Sequence, residues 1–232
     1  MRPMLRWITL GMLPALTACS DPGGGDTEGH ETGSGQEITL PPPTLDGTMS
    51  VEAAMAARRS VRRFSDRALT ASERSQLLWS AQGITEPRRG FRAAPSAGAT
   101  FPLELRAIGP DGVFRYIPDG HRLVPVTTQD RREALAAAAL GQDWVREAPL
   151  TIAISAVKQR TTRRYGERGT MYVHMEAGHA AQNLHLQAVA LGLGSVPVGA
   201  FDPARAARVL DLPADETLLY LIPVGEPAGH AR

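Results

Sequence analysis

The sequence predicts an α+β fold. Helical and strand-like patterns are interspersed with no regular βαβ alternation. No internal repeat is found, and the single composition shift falls at Pro43. The 232 residues, 43% hydrophobic, supply one core and are thin for two. One folded domain is therefore expected over 45–232, continuing to about Pro227 before a short tail.

The elements follow in order. Ser50 is a suitable N-cap, with Glu52 in the first turn, for an Ala-rich helix to about Ala57. Thr70 and Glu73 have capping-box spacing, and the helix they open carries Leu77, Leu78 and Ala81 and stops at Gly83. Leu103 to Ile108 reads as a strand. Val113 to Ile117 and Arg122 to Val126 form a hairpin across Pro118-Asp119-Gly120. Asp130 and Glu133 repeat the capping spacing before Ala134 to Leu140, closed by Gly141. Leu150 to Val157 is an almost unbroken apolar run, the mark of a strand buried on both faces. Met175 to Leu191 is the longest predicted helix, with Ala177, Ala180, Ala181, Leu184, Ala188 and Leu191 at three- and four-residue steps. Asp202 caps a short helix opening with Pro203, and Thr217 to Val224 is a last strand.

Residues 1–19 read as a targeting segment. Arg2 and Arg6 precede an apolar run from Trp7 to Leu16, too short to span a bilayer. The run ends in Leu16-Thr17-Ala18-Cys19, which resembles the lipobox of bacterial lipoproteins, with Cys19 as the lipidated residue. An ordinary secretory signal with a Cys at its end is the alternative. Ser20 after the Cys favours export to the outer membrane, periplasmic side, by analogy with Gram-negative lipoproteins. Adjacent twin arginines are absent, so export in the folded state is not indicated. Residues 20–44, with Asp21-Pro22-Gly23-Gly24-Gly25 and Pro41-Pro42-Pro43, read as a tether with almost nothing to bury.

Composition excludes several functions. A single Cys leaves no intrachain disulfide, thiolate metal cluster or cysteine nucleophile within the domain. A net charge of +1 does not suggest a nucleic-acid surface. His174, His179 and His185 lack the i, i+4 spacing of a helical metal pair, so no metal site is expected.

Three segments carry candidate chemistry. Arg58-Arg59-Ser60-Val61-Arg62-Arg63-Phe64 packs guanidiniums and a hydroxyl into a few residues. Arg forks donate two hydrogen bonds to one phosphate, and Ser adds a neutral donor; a solvated charged loop, or one facing acidic lipid, is the alternative. Ala94-Pro95-Ser96-Ala97-Gly98-Ala99 lets a backbone approach a flat ligand, or is simply a tight loop. Its Ser96 lacks the glycine spacing of a hydrolase nucleophile. Gly192-Leu193-Gly194-Ser195-Val196-Pro197-Val198-Gly199 follows a helix rather than a strand, so it is not a dinucleotide fingerprint.

The order of these motifs resembles the nitroreductase superfamily: a helix ending in Arg-Arg-Ser-Val-Arg-Arg-Phe, a capped Leu-rich helix, then Ala-Pro-Ser-Ala-Gly-Ala-Thr-Phe-Pro-Leu-Glu. Gly112 to Tyr116, His121-Arg122-Leu123, Arg164 to Arg168, Glu176-Ala177-Gly178-His179 and Gln182-Asn183-Leu184 are similar to its azoline-dehydrogenase (SagB-type) branch. The resemblance spans about Met49 to Pro227. It implies a central mixed sheet flanked by helices, in an intertwined homodimer with FMN at the interface. Arg58, Arg59, Ser60 and Arg62 match its phosphate and ribityl segment. Pro95, Ser96 and Gly98 match the loop given by the partner chain. Pro197, Val198 and Gly199 match the backbone beside the flavin ring, where a backbone N–H facing N5 stabilises the reduced state. Two departures stand out. A late basic residue is reduced to Arg232, and the Lys-Tyr pair of azoline dehydrogenases is replaced by Arg164-Tyr165. A guanidinium does not serve as a base as Lys does; Tyr165 remains a candidate proton donor or a structural residue.

The expected function is an FMN-dependent oxidoreductase moving hydride from a reduced donor, NAD(P)H among the candidates, to a small organic acceptor such as a nitro compound or quinone. Oxidation of peptide azolines is the second reading. A non-catalytic lipoprotein retaining the fold is the third.

Overall fold

A computed structural model describes residues 36–229. The expected signal peptide, Cys19, most of the tether and Arg232 lie outside the described residues.

The core is a sheet of seven strands. In chain order these are β1 (Ile38–Thr39), β4 (Leu103–Gly109), β5 (Gly112–Ile117), β6 (Arg122–Thr127), β7 (Leu150–Ala156), β8 (Gly194–Ser195) and β9 (Thr217–Gly225), arranged β1-β6-β5-β4-β7-β9-β8. Strands β2 (Ile84–Glu86) and β3 (Phe91–Arg92) form a separate small hairpin that the sequence patterns did not suggest. All ladders of the large sheet are antiparallel, and its parallel component is the single bridge Ser60–Ser195. The antiparallel character follows from the connections. Strands β4 to β6 are joined by tight hairpins, and the helical excursion after β7 returns the chain as β9 running opposite to it.

Both faces of the sheet are covered, and strand alternation divides the core in two. Leu105 and Ala107 of β4 and Ile152 and Ile154 of β7 face α2 (Ala71–Gln82) and α6 (Arg168–Ala190), meeting Leu77, Leu78, Ala180 and Leu184. Ile108 and Ala153, on the opposite face, meet Leu135 of α3 (Arg132–Ala138), Val145 of α4 (Asp143–Glu147) and Ala206 of α7 (Pro203–Val209). Each of the seven residues of β7 is buried, as its apolar run predicts. Helix α1 (Val51–Ala57) lies against α6, and α5 (Gln159–Tyr165) packs on α6 where Gly169 allows close approach: a Cβ there would stand 2.9 Å from Thr162 Cα.

The expected caps form at Ser50, Asp202 and Thr70, the last a complete capping box with Glu73. Asp130 differs from expectation. Its carboxylate is taken by the Arg132 backbone N–H and guanidinium, and α3 starts without a side-chain cap. The longest helix begins at Arg168 rather than Met175, because its polar first turns hide the stripe. Helix α5 buries Thr161 alone and shows no apolar periodicity. Residues 37–44, expected as tether, belong to the fold: β1 pairs with β6, Leu40 is buried, and Thr44 N–H donates to Gln76.

Candidate functional site

Helix α1 ends at Arg58, whose backbone (φ −56°, ψ 125°) releases the chain into an extended run. Val61 N–H donates to the Ser195 carbonyl at 3.0 Å, joining the arginine motif to β8. A Cβ on Gly194 would stand 2.6 Å from Val61, so only glycine admits this crossing. Arg59, Ser60, Arg62 and Arg63 line an open groove of about 920 Å³ together with Gly192–Gly194 and Pro227–Gly229.

The charge of this groove is uncompensated. Among the described residues none of Arg58, Arg59, Arg62 and Arg63 has a carboxylate partner, whereas Arg67, Arg74, Arg106, Arg122, Arg132 and Arg160 each have one. Glu226, next to the groove in sequence, is held by Ser65 Oγ at 2.8 Å and by Arg67 at 3.4 Å. Arg62 lies over the Trp144 ring at 5.4 Å, a contact that fixes a cation without neutralising it. Arg59 donates to the Ala56 and Arg58 carbonyls. Arg58 donates to His185 Nε2 at 3.3 Å, and His185 Nδ1 meets Ser195 Oγ. His185 is buried on α6, and its pKa is pushed down to about 4, first by burial and then by the Arg58 charge. It is neutral at physiological pH.

The stretch Pro197 to Gly199 continues from β8. The Val198 N–H and C=O are both taken by Leu221, at 2.7 and 3.0 Å, so Val198 offers no free donor. Pro197 has none. Among the described residues only the Gly199 N–H of this stretch makes no backbone hydrogen bond.

The loop of Pro95, Ser96 and Gly98 forms a second cluster. Ser96 Oγ accepts the Phe101 N–H at 2.9 Å, and Gly98 (φ 60°), Ala99 (φ 53°) and Phe101 (φ 44°) hold left-handed backbone. Arg164 Nη1 donates to the Gly98 carbonyl at 3.3 Å, and a Cβ on Gly98 would stand 2.5 Å from the Tyr165 hydroxyl. Tyr165 meets Tyr172 edge-on at 5.2 Å. Arg164 and Tyr165 thus pack against this loop. Glu176 of α6 is buried near Ser96 and Arg92, with Oε1 unpartnered. Burial pushes its pKa up to about 7, against a smaller lowering from Ser96 and Arg92.

The expected site residues therefore fall into two groups. Arg58, Arg59, Ser60, Arg62, Pro197, Val198 and Gly199 collect along β8. Pro95, Ser96 and Gly98 collect with Arg164 and Tyr165. Their anchors on α6, His185 and Glu176, are nine residues apart, roughly 13 Å along the axis and half a turn around it. A single chain does not bring all the motifs together.

Residues 55–226 match the model of the nitroreductase family. A Methanocaldococcus jannaschii protein assigned as a nitroreductase is 43% identical over 199 residues, covering 83% of this chain and 98% of its own. The chain belongs to the nitroreductase family. Among solved structures, a nitroreductase-family protein of Ralstonia eutropha JMP134 superposes with a TM-score of 0.76 at 30% identity, over 84% of this chain and 90% of that one. The NADPH:FMN oxidoreductase of Vibrio harveyi, solved with NAD+, shares the fold at a TM-score of 0.59 and 20% identity, over 78% and 72% of the two chains. Within this nitroreductase-family chain, the sequence motifs gave no site role to Glu176, which appears there only in the branch resemblance, and weighed His185 only as a metal ligand. A signal existed for both: each interrupts an apolar stripe of α6, Glu176 after Val173 and His185 between Leu184 and Ala188.

Proposed function

We propose that this member of the nitroreductase oxidoreductases binds FMN and works as a homodimer, moving hydride from a reduced donor such as NAD(P)H to a small organic acceptor such as a nitro compound or quinone. The observation that carries the reading is the groove beside β8, lined by Ser60 and by the guanidinium-bearing Arg59, Arg62 and Arg63, with Arg58 immediately before them; among the described residues none of the four arginines has a carboxylate partner. Such an array in a folded protein favours a bound dianion, since forked donors and uncompensated charge both suit phosphate.

The residues present fit FMN. Arg58, Arg59, Ser60 and Arg62 would hold the phosphate and ribityl end, and the Gly199 N–H is the free donor toward the ring, in place of the Val198 N–H that Leu221 occupies. Once bound, the flavin supplies a two-electron acceptor and donor that no side chain of the groove provides. The protein's own part is to fix that group, exclude water and place donors where negative charge builds.

Two observations support the dimer. The Pro95–Gly98 loop does not line the arginine groove of its own chain, and apolar side chains stay exposed on adjoining helices: Val51 at 59% and Met55 at 57% on α1, Met171 at 44% and Met175 at 49% on α6. A second copy would cover them and bring its loop to the groove. Arg164 and Tyr165 are assigned to holding that loop, which weighs against the azoline reading. We further propose that Cys19 carries a lipid anchor at the outer membrane, from its place at the end of the short apolar run. Among the described residues no helix is long and apolar enough to cross a membrane.

The test is to purify the full chain in detergent and look for bound flavin. A yellow dimer, reduced by NADH or NADPH and reoxidised by a nitroaromatic, is expected. A colourless dimer that takes up no added FMN overturns the reading, and conversion of a thiazoline peptide would redirect it to the azoline branch.

A further inference from the structure

A carboxylate beside an anion-binding arginine would orient its guanidinium but also cancel part of its charge. Arg58 is steered differently. Its only side-chain partner among the described residues is His185, at 3.3 Å from Nε2. A guanidinium has donors and no acceptor, so Nε2 must present its lone pair, and the single ring proton sits on Nδ1. That proton points to Ser195 Oγ, itself buried. Ser195 is also the residue whose carbonyl holds the Val61 N–H at 3.0 Å and whose backbone pairs with Val224 in the sheet. One buried serine therefore holds the arginine motif twice: through the Val61 N–H on the backbone and through His185 on the Arg58 side chain.

We infer that His185 is a positioning residue for the phosphate end of the flavin: it aims the Arg58 guanidinium from a buried, neutral acceptor and leaves its full charge for the dianion. The inference rests on the FMN reading above. It explains why a histidine stands in the apolar stripe of α6. Burial and the Arg58 charge both keep the ring neutral, so the ring acts as an acceptor across the physiological range.

The test measures FMN and riboflavin affinity in parallel on the full chain, since the two differ only in the phosphate. His185→Leu removes the acceptor. Its FMN dissociation constant is expected to rise about tenfold, equal to about 1.4 kcal/mol, with riboflavin unchanged. His185→Gln keeps a neutral acceptor and is expected to stay within about threefold of the parent, as one good hydrogen bond is retained. His185→Glu keeps an acceptor but neutralises the arginine, and is expected to lose more FMN affinity than His185→Leu. Ser195→Ala, which frees the ring without touching Arg58, is expected to lose part of what His185→Leu loses. Far-ultraviolet circular dichroism and melting establish that each variant folds. Equal losses for FMN and riboflavin, or no loss in His185→Leu, or no rescue by His185→Gln, overturns the inference and leaves the flavin reading intact. A parent protein that binds neither compound overturns both.

Discussion

Glu176 gives the sharpest stability prediction. The residue is 2% exposed, Oε1 has no partner among the described residues, and burial raises the pKa of its carboxyl from the ordinary 4.5 to about 7. In the unfolded chain it ionises near 4.5, so between pH 4.5 and 7 the folded state holds a proton that the unfolded state has lost. Stability then falls as pH rises through that window, and levels off above it. At about 1.36 kcal/mol per pH unit, the interval amounts to about 3 kcal/mol. Glu176→Gln removes the ionisation and keeps the shape. Urea unfolding of both proteins between pH 4.5 and 8.5 isolates the effect, because every other titrating group cancels in the difference. The advantage of the Gln variant should grow by about 3 kcal/mol across the series. A difference that stays flat with pH would refute the reasoning, and one that shrinks would reverse its sign.

Other perturbations test the rest of the structure. Arg106 and Glu216, 3% and 4% exposed, form a buried pair with Ser155 on the α3 face of the sheet. Glu216→Gln should cost about 3–5 kcal/mol in urea unfolding, while the double replacement by Met and Leu should cost far less, because it leaves no buried charge unpaired. Gly98→Ala should cost roughly 1–3 kcal/mol of stability, since the residue sits at φ 60° with the Tyr165 hydroxyl and Arg164 Nη1 2.5 and 2.8 Å from the added carbon. Gly194→Ala drives a methyl into Val61 and should weaken FMN binding about tenfold or more, about 1.4 kcal/mol, with much of the loss restored by adding Val61→Ala. Flavin fluorescence titration checks that pair.

What was legible in the sequence is what repeats or caps. The run Leu150 to Val157 could only be a strand buried on both sides, and the Thr70–Glu73 spacing fixed the start of α2 because two side chains reciprocally satisfy two backbone donors. Helix α5 was invisible because it rests on one buried residue and on backbone packing at Gly169, neither of which leaves a periodic trace. Strand β1 was hidden behind Pro41–Pro43, although Leu40 is buried and His121 receives the Leu40 N–H on its carbonyl. Asp130 misled because its carboxylate had a stronger suitor in Arg132 than in a helix terminus.

The site shows a similar division, with a physical cause. The arginine motif is legible because charge density and local spacing are written in consecutive residues. Its supports are not, because they come from distant segments: His185 is 127 residues from Arg58, and the Ser195 that fixes both the ring and the Val61 backbone lies ten beyond it. Helix α6 is where these long-range demands converge. It places a neutral acceptor beneath Arg58 and, half a turn round, a buried acid with one unpartnered oxygen beneath the Pro95–Gly98 loop. Polar residues so buried cost stability unless a partner offsets them. His185 has two partners and is accounted for by Arg58. Glu176 has an oxygen with none among the described residues, so burial there costs stability once the carboxyl ionises. On the dimer reading, that loop is the part of the chain that meets the other copy. The pH dependence of Glu176 should then shift when the homodimer is dissociated, which ties the stability of α6 to assembly through one carboxyl group.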